Sequence, residues 1–241
     1  MKYDIVIVAT NKDFHKIKYV YESIIKNIKP MYNKIYCFCP EYPVDRIENI
    51  HYILDKDILD INISNIMFNP TWIYQQYLKL LQNITLDNYL IIDADIIINR
   101  AINIFNDKPN FILGTNINSK SFFEYSKLMF DIVREYDYSF INDIMLFDRN
   151  IIKEMILTKF NNIEDFIKKS NNIITNKCFI SEYELYGNYV YKNHKNDYNY
   201  IKLKTLKNYD QNDWTPEYIE KYIEKYKDSN IDILMIPTLN K

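Results

Sequence analysis

The 241-residue chain predicts an α/β fold, a doubly wound mixed sheet flanked by helices in a single domain, on three observations. Short apolar runs alternate with helical periodicity through the first 100 residues, the pattern of strands joined by right-handed helical crossovers. One run, Asn88-Tyr89-Leu90-Ile91-Ile92-Asp93, is unbroken from Tyr89 to Ile92, as a central parallel strand covered on both faces requires. No linker rich in Pro, Gly or Ser and no repeat period divides the chain.

Each element follows in order. Residues 3–9 read as a buried strand, and residues 14–28 carry helical periodicity that ends before Pro30. Residues 34–39 read as a second strand, stopped by Pro40 and Pro43, with a shorter strand near 50–54. An amphipathic helix over 71–83 opens after Asn69-Pro70, with Thr71 as its N-cap. After the strand at 88–93 the pattern is mixed. Phe111-Ile112-Leu113-Gly114 and Ile144-Met145-Leu146-Phe147 read as short strands flanking a helix near 121–136. Helices follow near 149–157, 162–169, 182–192 and 215–227, and residues 231–236 close the chain as a strand before Pro237.

Composition narrows the chemistry. Apolar residues make up 48% and charged residues 26%, a globular balance with a net charge of −2. That leaves no global basic field for duplex nucleic acid. The only glycines are Gly114 and Gly187, too few for a GxGxxG fingerprint, a phosphate-binding P-loop or a GxSxG elbow. The 23 tyrosines are read as filling half-buried positions. Cys37, Cys39 and Cys178 make neither an even disulfide framework nor a CxxC pair and read as buried free thiols. With no signal peptide and no run long enough to span a membrane, a reduced, cytoplasmic setting is expected.

Chemistry concentrates in Asp93-Ala94-Asp95. Two carboxylates emerge where α/β sheets place their ligands, at the carboxyl end of a buried strand, and period-two geometry would turn both the same way. Side by side in a dry crevice they repel unless a cation lies between them. Mg²⁺ or Mn²⁺ suits such oxygen ligands and keeps open positions for diphosphate oxygens. The competing reading is a strand that simply ends in a solvated turn.

A D-x-D after a buried strand, some 90 residues from a β/α start, resembles that of GT-A (Rossmann-like) glycosyltransferases. More narrowly, Trp72 to Leu80, Tyr89 to Ile96 and Ser181 to Tyr189 resemble a family of GT-A-like domains of unknown function. The resemblance implies a hexosyl- or N-acetylhexosaminyl-transferase with a nucleotide-binding half over about 1–100 and an acceptor half over about 101–241. It implies a nucleotide-sugar donor, in particular a UDP-sugar, and a glycan or other hydroxyl acceptor. Asp95 would hold the metal, and Asp93 would reach the metal through water or the ribose. Ala9, Thr10 and Asn11 would face the nucleoside, with Asp13 near the base and Ala94 beside the donor. Gln76 and Lys79, one helical turn apart, would face the donor or solvent.

Ser181-Glu182-Tyr183-Glu184 carries two readings, a capping box through Ser181 and Glu184, or a helix start whose carboxylate deprotonates the acceptor in an inverting reaction. With Glu184 in the cap, Glu182 is the better base. The resemblance also suggests His194 as a further metal ligand, against a reading as a helix end complementing the dipole. Asn142 and Asp143 would contact sugar or acceptor hydroxyls, or form a turn. A haloacid-dehalogenase-type phosphohydrolase shares the D-x-D, but neither glycine is followed by Asp here. A catalytically silent nucleotide- or sugar-binding domain is the third reading.

Overall fold

The structure, a computed structural model, describes residues 2–61, 66, 68–114, 120–135, 138–142, 144–208 and 214–237. Its first half runs β1 (Asp4–Val8), α1 (Ile17–Asn27), β2 (Ile28–Lys29), β3 (Ile35–Cys39), β4 (Ile50–Leu54), α2 (Asp55–Ile58), α3 (Pro70–Leu81) and β5 (Asn88–Asp93). The second runs β6 (Ile96–Ile98), β7 (Ile102–Asn103), β8 (Asn110–Leu113), α4 (Lys120–Phe130), β9 (Ile144–Asp148), α5 (Arg149–Leu157), α6 (Ile163–Ile173) and α7 (Glu182–Asn193). It closes with β10 (Asn199–Lys202), β11 (Thr205–Lys207), α8 (Pro216–Tyr226) and β12 (Ile233–Met235).

The main sheet has the order β4-β3-β1-β5-β9, parallel except for β9, which runs antiparallel to β5. Alternation along the strands sends side chains into two cores. Val6, Val8, Tyr89, Ile91, Met145 and Phe147 join α3, α5, α6 and α7 on one face. Ile5, Ile7, Leu90, Ile92, Ile144 and Leu146 join α1, α8, β6 and β12 on the other. Burial on both faces is why β1 and β5 lack an apolar/polar alternation.

Asp4 ties this frame together. It is 1% exposed, and its carboxylate accepts from Asn33 Nδ2 at 2.9 Å, Lys34 N at 3.1 Å and Leu86 N at 2.7 Å. One buried charge thereby fixes the loops that feed β3 and β5 on either side of β1.

Several boundaries differ from the sequence expectation. Asn69, in the left-handed region at φ 42°, caps α3 instead of Thr71, with Pro70 in the first turn where its missing N–H costs nothing. The first helix opens as a 3₁₀ segment, Asn11–Lys16, before α1. Helix α4 stops at Phe130 rather than 136, where Asp131 turns left-handed at φ 53°. Strand β5 ends at Asp93, and residues 94–95 form the turn into β6, so the period-two argument for two aligned carboxylates does not hold past Asp93. β6 pairs antiparallel with β12, a short strand pairing that the sequence did not reveal.

Neither glycine serves a positive φ. Both allow a close approach by one segment. Gly114 N donates to Ser139 O at 2.9 Å, and a Cβ at Gly114 would stand 1.8 Å from Ile141 O. A Cβ at Gly187, inside α7, would stand 2.2 Å from the Phe140 ring. The three cysteines are free and buried, and among the described residues no helix is long and apolar enough to cross a membrane.

Two outcomes are expected. Gly114→Ala pits a methyl against backbone that cannot move aside and lowers stability by about 3 kcal/mol in urea titration, with Gly187→Ala costing less because helix propensity offsets part of the clash. Equal, negligible effects would rule out the close approach. Burial raises the Asp55 carboxyl from 3.8 to about 7. Its neutral form is therefore favoured on folding, so this contribution is full below about pH 4 and is lost as pH rises through 7. Asp55→Asn should flatten the melting temperature across that window and raise it at pH 8.

Candidate functional site

The carboxyl ends of β1 and β5 lie side by side, with Val8 paired to Asp93. Between them and α3 opens a cleft of about 190 Å³. Thr10 and Asp13 line it from the β1 side, Gln76 and Lys79 from α3, and Asp93, Ala94 and Asp95 from the β5 turn. Seven of the residues singled out in the sequence are thus gathered in one place. Lys12, Trp72 and Gln75 also line it. The i, i+3 and i+4 spacing of Trp72, Gln75, Gln76 and Lys79 on one helical stripe was the available signal for Trp72 and Gln75.

Strand alternation explains the centre of the site. Asp93 follows Tyr89 and Ile91 onto the face covered by α3 and α7, so its carboxylate meets those helices instead of solvent. Lys79 Nζ stands 2.7 Å from Asp93 Oδ1 and 2.9 Å from Glu182 Oε1. Tyr183 OH donates to Asp93 Oδ1 at 3.0 Å, and Lys79 Nζ lies 3.4 Å from the same hydroxyl. Burial alone would drive the Lys79 pKa down, but Asp93 and Glu182 outweigh it and hold the ammonium well above the ordinary lysine range. Burial pushes the Glu182 carboxyl up, opposed by Lys79 and reinforced by Asp93.

The Asp95 turn is clamped from the far end of the chain, where Ile236 N donates to Asp95 O at 2.7 Å. Asp13 is held on both oxygens, by Thr10 Oγ1 at 2.6 Å and by the fully buried Lys16 Nζ at 3.1 Å. That pairing makes Asp13 a rigid wall of the cleft. Gln76 Nε2 donates to Trp72 O within its own helix at 3.3 Å.

Other candidates lie elsewhere. Ala9 is buried beneath the cleft at the end of β1, and exposed Asn11 donates to Glu41 Oε1 at 2.5 Å. Glu182 is 1% exposed and stands behind Lys79, reaching the cleft only through that ammonium. Ser181 Oγ accepts from Glu184 N, the capping half of the dual reading. The Glu184 carboxylate does not close the box. It accepts from Ser139 Oγ and Phe140 N, both at 3.0 Å, and from Asn188 Nδ2 at 3.0 Å, which turns it away from the cleft. Asn142 donates to Ile112 O and Phe140 O and accepts from Ile144 N, so its amide joins β8 to β9 and is spent on backbone. His194 caps the opposite end of α7, about 18 Å along the helix from Glu182 at 1.5 Å per residue. There its Nε2 meets Glu154 Oε1 at 3.1 Å, at the end of α7 away from Glu182. Asp143 lies outside the described residues.

Among the described residues no cluster of three or more His, Cys, Asp or Glu could hold a metal ion. The cleft supplies Asp93, one of whose oxygens already meets an ammonium, and Asp95. Magnesium-like ions are commonly bound by one or two carboxylates together with substrate phosphates. This donor set fits an ion that arrives with a diphosphate, and does not fit one caged by protein alone.

No family model matches the sequence, and no curated protein does. Among solved structures, one of an active-site Gln-to-Glu mutant of LgtC, a GT-A glycosyltransferase, is similar over 99% of this chain and 88% of that one, with a TM-score of 0.52 and 12% identity. At that identity the likeness establishes the fold, a GT-A-type mixed sheet flanked by helices. The narrower family resemblance of the three segments has no matching family model beside it.

Lys79→Met should strand the buried Glu182 carboxylate beside a partly exposed Asp93 and cost about 3–5 kcal/mol of stability at pH 8. Because burial raises the Glu182 pKa, its proton is taken up on folding as pH falls, so the deficit should shrink at pH 5. Urea titrations of both proteins at the two pH values read this directly, and a pH-independent deficit would contradict the shared-ammonium geometry.

Proposed function

We propose that the chain is a glycosyltransferase that moves a sugar from a nucleotide-diphosphate donor, in particular a UDP-sugar, to a hydroxyl of a glycan acceptor. The observation that carries this reading is the cleft itself. In a GT-A-type fold, the D-A-D turn and a lysine converge at the carboxyl ends of β1 and β5. Thr10, backed by Asp13, would take the nucleoside at the end of β1. Lys79 would meet donor oxygens, held in place by Asp93 from one side and Glu182 from the other. Glu182 is therefore a positioning residue in this reading. Mn²⁺ or Mg²⁺ held by Asp95 with Asp93 would neutralise the diphosphate leaving group.

One observation favours a second reading, a nucleotide-sugar-binding domain without turnover. Both carboxylates expected to deprotonate the acceptor, Glu182 and Glu184, are turned to buried partners. The phosphohydrolase reading has no comparable support.

Calorimetry with UDP and Mn²⁺, followed by donor hydrolysis, separates these readings. UDP should bind at least tenfold more tightly with Mn²⁺ present, and Mn²⁺ alone should bind weakly because the described residues of the cleft supply only two carboxylates. Asp95→Asn should abolish that synergy and lower turnover about 100-fold or more. Full activity of Asp95→Asn would sink the metal assignment. UDP binding without turnover across donors and acceptors selects the silent domain, and phosphatase activity without UDP binding selects the hydrolase.

A further inference from the structure

A second concavity shares no lining residue with the cleft. It measures about 220 Å³ and is lined by Leu113, Tyr138, Phe140, Tyr191, Lys195 and Tyr200. Its walls are mostly aromatic, and no carboxylate is among these residues. Lys195 lines it, with Nζ 4.6 Å from the Tyr191 ring centre, and Lys202 Nζ stands 4.1 Å from the ring centre of the lining residue Tyr138. The Tyr200 hydroxyl is buried without a hydrogen-bond partner, a donor that a ligand oxygen would satisfy.

The pocket is held in shape from behind. Phe140 is 1% exposed, its N–H is fixed by Glu184 and its ring abuts Gly187. The volume is below the roughly 300–1,000 Å³ of drug-sized sites and suits a single ring. Tyr191 and Lys195 set the pocket toward the carboxyl end of α7, with Tyr191 about 14 Å along the helix from Glu182 at 1.5 Å per residue, so a ring held there belongs to the distal part of an extended acceptor.

We propose that this pocket is an acceptor subsite for one sugar ring bearing a carboxylate. The C–H face of a pyranose packs on the tyrosine rings, and the lysines at the rim select the acidic substituent. The proposal rests on the glycosyltransferase reading for its acceptor, but its binding test does not.

The test is calorimetry of the full chain with methyl glucuronide and with methyl glucoside, beside Tyr138→Ala, Lys202→Gln and, in parallel, UDP with Mn²⁺. Tyr138 is 38% exposed and Lys202 is exposed, so both substitutions should fold. The glucuronide should bind at least fivefold more tightly than the glucoside. It should weaken at least tenfold in Tyr138→Ala and at least fivefold in Lys202→Gln, with UDP affinity unchanged. Absent glucuronide binding, or binding indifferent to both substitutions, overturns the site. Equal affinity for the neutral glucoside overturns the charge selection. Loss of glucuronide binding with UDP binding intact counts against the pocket alone, whereas glucuronide binding without UDP binding leaves the pocket standing and counts against the donor reading.

Discussion

The ammonium of Lys79 is the charge on which the site's architecture depends. Asp93 and Glu182 stand 89 residues apart in the chain and would repel each other where Glu182 is buried and Asp93 only partly exposed. With Lys79 between them, three elements are locked into one register: the end of the central strand, the last turn of α3 and the first turn of α7. Such a cluster is costly to form and far costlier to leave half-made, which suits a place where geometry matters more than stability. It also settles which way each group faces. Lys79 looks into the cleft, Asp93 shares the wall, and Glu182 lies buried behind them with one oxygen on the Lys79 ammonium.

A second buried carboxylate, two residues along the same helix and turned to another face, does similar work. Glu184 gathers Ser139, Phe140 and Asn188, and so pins the segment that leads into β9. Gly114 and Gly187 complete this arrangement by omission, since each lets that segment approach more closely than a side chain would permit. The scarcity of glycine thus acquires a meaning. Neither copy shapes a phosphate loop, and both serve packing around residues 139–141.

Much of the fold was legible because its signals are local. The parallel strands at Asp4–Val8, Ile35–Cys39 and Asn88–Asp93 are apolar runs bounded by turn residues, and the helix over Pro70–Leu81 has a clear apolar stripe. The gathering of Thr10, Gln76, Lys79, Asp93 and Asp95 followed from topology, because a parallel sheet brings its carboxyl ends together. Short strands such as Ile96–Ile98 and Thr205–Lys207 were not legible, since three residues carry no periodicity and exist only through their partners.

The sequence by itself determined the alternation of strands and helices, the burial of the central strands and the place where acidic and polar groups would meet, all consequences of hydrophobic period and chain connectivity. Tertiary structure alone decided what those groups do to one another. Whether Asp93 faces solvent or Lys79, whether Glu184 faces the cleft or the Ser139–Phe140 segment, and whether His194 lies beside Asp95 or at the other end of α7 depend on distances between elements remote in the chain. Electrostatic interaction is set by those distances and by the exclusion of water, and neither is written in local residue order.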